Sequence, residues 1–406
     1  MRIQNKDWPQ CPHCGTHINP RNFTKHAGTL GICSVLKKRR EEQSQTYYVK
    51  DVNADPMELE AAYLTGTDFA FGGSKPSFDE LTRARLSKRI ECTPPGLLRK
   101  SQFDRLIARL ESAVLPVRKS HRVDETALAV TAAVRAEAPL LSHAAKKRRK
   151  HALQHAALCA QLRETASLRR ETTLVEFGAG KAELSKTLAL TSQRLHGDEG
   201  VRVVCVDMQN FRHKCERVLQ ERARRLRVNL RHLDLRRVPW LVSSLRVDCV
   251  AKHLCGCGTD YALRSLRTAL QGDTKVPLGS LVISLCCHHK CTWASFCGRA
   301  FLQQHGINND REFAQLCRLA AWASSSHVRQ TDKKSDLSDQ NTDTDPHVHT
   351  FLTATEKQRF GRLAKRVLDS ARLHFLREEC AATQVELVEF CDEDVTPENV
   401  LLRAVF

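Results

Sequence analysis

The chain has 406 residues, room for two or three domains, and a formal net charge of +18 that points to a polyanionic partner, nucleic acid first. It holds no run of roughly 18 apolar residues, which excludes a transmembrane helix, and its opening MRIQNKDWPQ lacks the apolar stretch of a secretory signal. Seventeen cysteines in a long chain without such a signal read as reduced thiols and metal ligands, which implies nucleus, cytoplasm or both.

In chain order the first feature is a compact cluster: Cys11-Pro-His13-Cys14, then His17, His26 and Cys33. A glycine follows the CxxC pair, and a helix-like stretch leads to His26. Zinc takes four soft or borderline ligands in a tetrahedron, and a module this small has no core to fold without it. The simplest set around one structural zinc is Cys11, Cys14, His26 and Cys33; a second exchanges Cys14 for His17. Lys37-Lys38-Arg39-Arg40 follows at once, as an RNA-docking edge or a solvated helix end. Residues 47–53 (YYVKDVN) read as extended, and Gly72–Pro76 as a linker. Helical periodicity over 77–115 is broken by Pro94-Pro95-Gly96. Residues 143–166 form a basic helix centred on Lys146-Lys147-Arg148-Arg149-Lys150-His151. That run is an RNA-phosphate strip, a solvated helix face or a nuclear localisation signal; in the first case Lys146, Arg148, Arg149 and Lys150 are RNA contacts. Residues at about 324–350 are polar and read as a disordered insertion.

The stretch 174–187 (LVEFGAGKAELSKT) is a short buried strand, a Gly178-Ala179-Gly180 turn and a helix from Lys181. Such a corner presents bare N–H groups and a helix N-terminus to a ligand, and serves dinucleotides or S-adenosylmethionine. The dinucleotide fingerprint requires a third glycine at 183, where Glu183 stands. An acid within the strand followed by GxG resembles motif I of class I methyltransferases, with Glu176 at the methionine end of the cofactor. Val201–Asp207 is a second strand, and Asp207 at its end would accept hydrogen bonds from ribose hydroxyls. Arg212 and Lys214 follow as phosphate contacts. Residues 231–235 read as strand three, with Asp234 near the adenine. Val247–Ala251 is strand four and runs into Lys252-His253-Leu254-Cys255-Gly256. Leu281–Leu285 is strand five and leads into Cys286-Cys287-His288-His289-Lys290-Cys291. Val385–Phe390 and Leu401–Phe406 close the sheet, so loss of the C-terminus should be poorly tolerated.

AKHLCGCGTDYAL, VISLCCHHKCTW, EFGAGK and the late ENVLL resemble the eukaryotic tRNA 2′-O-methyltransferase family that modifies nucleotide 4 of the acceptor stem. The resemblance covers most of residues 11–60 and 145–325 and the last dozen. It implies methyl transfer from S-adenosylmethionine to a ribose hydroxyl of tRNA, with glycine, proline and histidine tRNAs as substrates. It also implies a finger of Cys-His-His-Cys type, which favours His17 over Cys14. Family members usually carry a further Cys-rich segment ahead of the finger; residues 1–10 contain no cysteine.

The expected fold is α/β, a class I Rossmann-like methyltransferase with a mostly parallel seven-stranded sheet. The expected layout is a zinc finger over 1–40, an extended and helical linker region over 41–142, and the transferase domain over 143–406. Methyl transfer to a hydroxyl is an in-line displacement, helped by alignment and by a base or fixed cation at the oxygen. Lys252, with His253 beside it, suits that role, and the CCHH loop would hold His288 or His289 against the substrate. Adjacent cysteines in an extended segment point to opposite sides, which suits a second metal poorly. No obligate protein partner is inferred. The competing readings are an RNA-binding protein that has lost activity, and a methyltransferase acting on protein; the lack of an Asn-Pro-Pro-Tyr-like motif after strand four weakens amide and base-nitrogen targets.

Overall fold

The apolar runs from residue 172 onward become the central strands of one eight-stranded sheet, whose two edges are the charged segments 117–119 and 223–226. The computed structural model describes residues 9–12, 17–27, 41–59, 93–131, 143–197, 200–209, 211, 214–324, 348 and 352–406. Its strands are β1 (Val117–Lys119), β2 (Thr172–Phe177), β3 (Arg202–Val206), β4 (Ala223–Leu226), β5 (Arg246–Lys252), β6 (Leu278–Ser284), β7 (Gln384–Glu389) and β8 (Val400–Val405). The helices are α1 (Pro20–Ala27), α2 (Lys100–Ser112), α3 (Glu125–Val130), α4 (His143–Glu164), α5 (Glu183–His196), α6 (Pro239–Val242), α7 (Cys257–Ala269), α8 (Arg299–Gln304), α9 (Asp310–Ala321) and α10 (Ala354–Glu379).

Across the sheet the order is β1-β7-β8-β6-β5-β2-β3-β4. All pairings are parallel except those of β8, which runs antiparallel to both β6 and β7. β2 is buried at every residue, the mark of a strand covered on both faces. The sheet is therefore mixed, mostly parallel with β8 alone reversed, and has eight strands where seven are expected. Two local causes account for the difference. Only ten residues join β7 to β8, too few for the crossover that a parallel neighbour needs. The eighth strand, Val117–Lys119, lies in a stretch the sequence presents as linker and pairs with β7 at the edge.

Residues 231–235 are not a strand. They belong to two 3₁₀ turns, Leu230–His232 and Leu235–Arg237, and the third parallel strand is Ala223–Leu226. β4 reads Ala-Arg-Arg-Leu because it is an edge strand, where charge replaces the apolar pattern of the centre. The Arg224 guanidinium covers Trp240 at 4.1 Å from the ring centroid.

Residues 47–59 turn repeatedly and strap the domain, where an extended segment was expected. Asn53 donates to the carbonyls of Leu230 and Leu233 at 2.6 and 2.7 Å. Asp55 receives Arg264 at 2.8 Å and Arg299 at 2.6 Å. A helical lobe of α2, α9 and α10 has its own apolar cluster around Phe103, Phe296, Phe313 and Leu316. Buried Arg372 on α10 ties this lobe to α7 by a charged pair with Asp260 at 2.9 Å. Most of the segment read as an insertion, 325–347 with 349–351, lies outside the described residues. No helix among the described residues is long and apolar enough to cross a membrane.

Candidate active site

The carboxyl ends of β2, β3, β5 and β6 converge on one edge, where open α/β sheets bind ligands. At the β2–α5 corner, Gly178 and Gly180 have φ of +67° and +53°. The left-handed backbone at Gly178 favours glycine, and a Cβ there would stand 2.9 Å from Leu254 Cδ1, so that methyl would have to move. The Ala179 N–H donates to the Val206 carbonyl at 2.9 Å, and the Gly180 N–H to Asp207 Oδ2 at 2.8 Å. The other Asp207 oxygen accepts from the Gln209 N–H at 2.7 Å. The turn is thus pinned to the end of β3 by backbone and one carboxylate. Met208, beside Asp207, leaves 60% of its surface exposed, and the Phe211 ring is the nearest group to a side chain at Gly180, at 3.9 Å.

Glu176 is buried inside the corner. Its Oε2 accepts from the Ser185 N–H at 3.0 Å and from the Ser185 hydroxyl. Burial pushes its pKa up to about 7, against the pull of both Ser185 bonds and the charges of Arg225 and Lys252.

Lys252 ends β5, one strand over from the corner, in register with Ser284 of β6. Its Nζ lies 2.9 Å from His151 Nδ1 on α4. Burial lowers the lysine to about 8, although Glu183, Glu176 and Cys391 favour its charge. His253 follows with φ +63°. The residue is exposed, but partial burial of its ring, then the charges of Lys252 and His151, hold it down to about 4. One turn along α4, buried His155 sits 3.3 Å from Thr187 Oγ1, and burial keeps its pKa well below the usual imidazole value. Near neutral pH two groups of this edge change charge, Glu176 at about 7 and the lysine at about 8.

The CCHH loop leaves β6 in a tight turn. Cys287 adopts φ +52° and residues 288–290 make one 3₁₀ turn. The segment is therefore not extended, and its adjacent cysteines do not point to opposite sides: the thiols of Cys286 and Cys287 meet that of Cys255, all within 4.8 Å of one another. His288 is buried, with Nε2 2.5 Å from Asp369 Oδ1 on α10, and burial lowers its pKa while Asp369 opposes. His289 is exposed.

The structure thus brings together Glu176, Gly178, Ala179, Gly180, Asp207, Lys252 and His253. It sets His288 in a buried pair, and it does not bring Asp234 to this edge. Asp234 caps a 3₁₀ turn, and its two oxygens accept from Arg236 Nε and Nη2, both at 2.9 Å. The same Arg236 reaches the Gln271 carbonyl at 3.2 Å, beyond the C-terminus of α7 and on the side where β6 begins.

Arg148, Arg149 and Lys150 are exposed on α4 directly before His151, so the basic run ends at Lys252; the backbone of Lys146 lies on the same helix. Lys150 Nζ donates to the Asp394 carbonyl at 2.6 Å. Lys214 is half-buried at the start of a 3₁₀ segment, and Arg212 lies outside the described residues. In the N-terminal cluster Cys11 is buried, His17 is exposed and His26 is half-buried on α1. Cys14 and Cys33 lie outside the described residues.

Sequence reasoning missed His155, Ser185, Met208 and Phe211, and read His151 as the tail of a basic run. Ser185 and His155 follow from helical spacing once the corner is known. His151 carries no local signal, because its partner is 101 residues away.

A family model described as Methyltransferase TRM13 matches residues 153–405. The tRNA:m(4)X modification enzyme TRM13 of Scheffersomyces stipitis is 28% identical over 275 residues, covering 62% of this chain and 64% of the relative. Its namesake in Yarrowia lipolytica is 30% identical, covering 63% of this chain and 59% of the relative. The tRNA:m(4)X modification enzyme TRM13 homolog of Homo sapiens is 27% identical, covering 63% and 64%. The chain therefore spans about six tenths of the length of these curated relatives. Because the family model takes in more than half of the chain, from α4 through the end of β8, the chain belongs to the Methyltransferase TRM13 family.

Proposed function

We propose that this chain is an S-adenosylmethionine-dependent tRNA methyltransferase that modifies the ribose 2′-hydroxyl of nucleotide 4 in the acceptor stem, on tRNAs of the glycine, proline and histidine type. Family membership and the relatives' names support tRNA position 4. The observation that carries the reading is Lys252: a half-buried amine lowered to about 8, at the strand end beside a glycine corner. The strand order β4-β3-β2-β5-β6-β8-β7, with β8 alone reversed, supports a class I methyltransferase fold.

The corner suits the cofactor on two counts. Gly178 keeps a side chain out of the approach, and exposed Met208 offers a soft apolar face for a purine beside Asp207. Each Asp207 oxygen accepts one N–H and keeps a lone pair for a ribose hydroxyl. When bound, the cofactor supplies an electrophilic methyl on a sulfonium. Gly178, Ala179, Gly180 and Asp207 hold it, and Glu176 fixes the corner through Ser185. Lys252, neutral in part near its pKa, takes the 2′-hydroxyl proton on Nζ as the oxygen attacks, while His151 orients that amine. His253 and His289 flank the acceptor; His288 acts from behind, stiffening the loop through Asp369. Asp234 keeps the fold of the 230–237 turns.

Lys146 and the exposed Arg148, Arg149 and Lys150 lead along α4 to Lys252, and together with Arg212 and Lys214 they are the RNA contacts. The finger over 1–40 holds one structural zinc through Cys11, His26, Cys33 and either Cys14 or His17. The transferase domain spans 143–406, works in nucleus or cytoplasm, and needs no obligate protein partner. The test is incubation with methyl-labelled cofactor and total tRNA, followed by digestion. Label on the ribose of nucleotide 4 is expected. Label on a base or on protein, or none from folded protein that binds RNA, would sink this reading.

A further inference from the structure

We propose that Cys255, Cys286 and Cys287 form a metal site separate from the N-terminal finger, taking one thiophilic divalent ion of the zinc type with its fourth position open to solvent. Their three sulfurs lie within 4.8 Å of one another, and Cys255 Sγ is 3.6 Å from Cys286 Sγ. A tetrahedral ion with Zn–S bonds of about 2.3 Å sets its sulfurs about 3.8 Å apart, so the thiols stand near ligand spacing before any ion arrives. A disulfide would require about 2.05 Å and would use two of the three.

The convergence is built by backbone that side chains rarely tolerate. Cys287 takes φ +52° and so turns its thiol to the same side as that of Cys286. Gly256 takes φ +57°, and a Cβ there would come 3.0 Å from the Lys290 carbonyl oxygen, so the two loops abut backbone to backbone. The neighbouring cysteines are committed elsewhere. Cys257 Sγ accepts from the Ser295 hydroxyl at 2.9 Å, and buried Cys291 Sγ from Arg372 Nη2 at 3.1 Å. Three thiols remain aimed at one point, and soft thiolates select zinc-like ions over calcium or magnesium.

Each thiol gives up its proton on binding, leaving a site of one net negative charge that Lys290, on the same loop, partly balances. Such an ion would join the chain leaving β5 to the chain leaving β6, two and three residues beyond His253 and Lys252. Its role is positional: it clamps the loops that carry the proposed chemistry. The proposal stands on thiol geometry and not on the methyl-transfer reading.

The experiment uses the full chain, purified in reductant. Metal per chain is counted in the parent protein, in Cys11→Ser and in the double variant Cys255→Ser/Cys287→Ser. The expected result is one equivalent fewer in the double variant than in the parent, with that equivalent kept in Cys11→Ser. Cobalt(II) exchanged into Cys11→Ser should show thiolate-to-metal charge transfer. A folding defect in the double variant is bypassed by alkylating the parent protein: Cys255, Cys286 and Cys287 should resist iodoacetamide until a chelator is added. Equal metal counts in folded parent and double variant, immediate alkylation of Cys255 without chelator, or protection lifted by stronger reductant rather than chelator would each overturn the site.

Discussion

The two halves of the candidate site are made of different material. The β2–β3 corner is nearly all backbone: two left-handed glycines, the N–H groups of 179 and 180, and a single carboxylate at Asp207. The β5–β6 half is all side chain, with Lys252 against His151 from α4 and three thiols brought together from two loops. A backbone cradle binds one shape. A side-chain cluster can carry a proton or a metal, but only if distant helices hold it. Variants in the first half should therefore act on binding, and variants in the second on turnover.

Lys252→Ala gives the largest expected effect and breaks the comparison if it fails. Turnover should fall by about 10²- to 10⁴-fold, the usual loss of a positioned base, while calorimetric affinity for the cofactor stays unchanged. In the parent enzyme the rate should rise with pH through about 8, as the amine loses its proton. His151 and His155 on α4, Glu176 on β2, Glu183 on α5, His253 and Cys391 all bear on this lysine or its neighbours, and the imidazoles of 155 and 253 are already neutral in that range. Lys252→Arg keeps the charge, cannot act as a base, and should be as slow as alanine with a flat profile. Arginine activity near that of the parent would assign the residue to charge stabilisation instead.

Gly178→Val tests the backbone half. The left-handed φ costs a β-branched residue about 1–2 kcal/mol, and its side chain must push aside the Leu254 methyl that would stand 2.9 Å from its Cβ. Cofactor affinity should drop more than tenfold, with tRNA affinity unchanged in a filter-binding assay. A normal cofactor Kd would show that the turn is not the cradle.

The corner was legible in the sequence because it is contiguous: EFGAGK carries strand, turn and glycines within a few residues, and Asp207 closes it one strand later. The lysine was legible as the residue after a strand. Asp234 was misplaced because its apolar neighbours 230–235 mimic a strand, whereas the true β4 hides under arginines at the sheet edge. The convergence of the cysteines was discounted because alternation was assumed for a segment whose Cys287 is left-handed. Periodicity describes regular backbone, and these loops leave it at the very residues that matter.

A triple change of Arg148, Arg149 and Lys150 to alanine sharpens the contrast from outside. Each lost phosphate contact flattens the slope of log affinity against log salt by about 0.7–0.9, so a total change of about 2 is expected, with weaker tRNA binding at low salt. Lys150 already gives one hydrogen bond to Asp394 and contributes least. Cofactor affinity should not move. A salt slope unchanged from that of the parent would make the run a solvated helix face.

Ser185→Ala, the smallest effect, probes the side-chain pair that lies beneath the backbone half. It removes the hydroxyl that donates to Glu176 and keeps the N–H at 3.0 Å, at a cost of about 1.5 kcal/mol when the carboxylate is charged. Glu176 has a folded pKa of about 7 against an ordinary 4.5. A raised folded pKa means that the native state holds the proton more tightly than the unfolded chain. Its contribution to stability is therefore full below 4.5 and is lost as pH rises through about 7. The hydroxyl opposes that rise by favouring the anion, so its removal lifts the folded pKa further and extends the loss to higher pH. Thermal midpoints of parent and variant should lie close together below pH 4.5 and separate increasingly above 7. A gap that is the same at both ends would mean that Glu176 is not the group the hydroxyl serves.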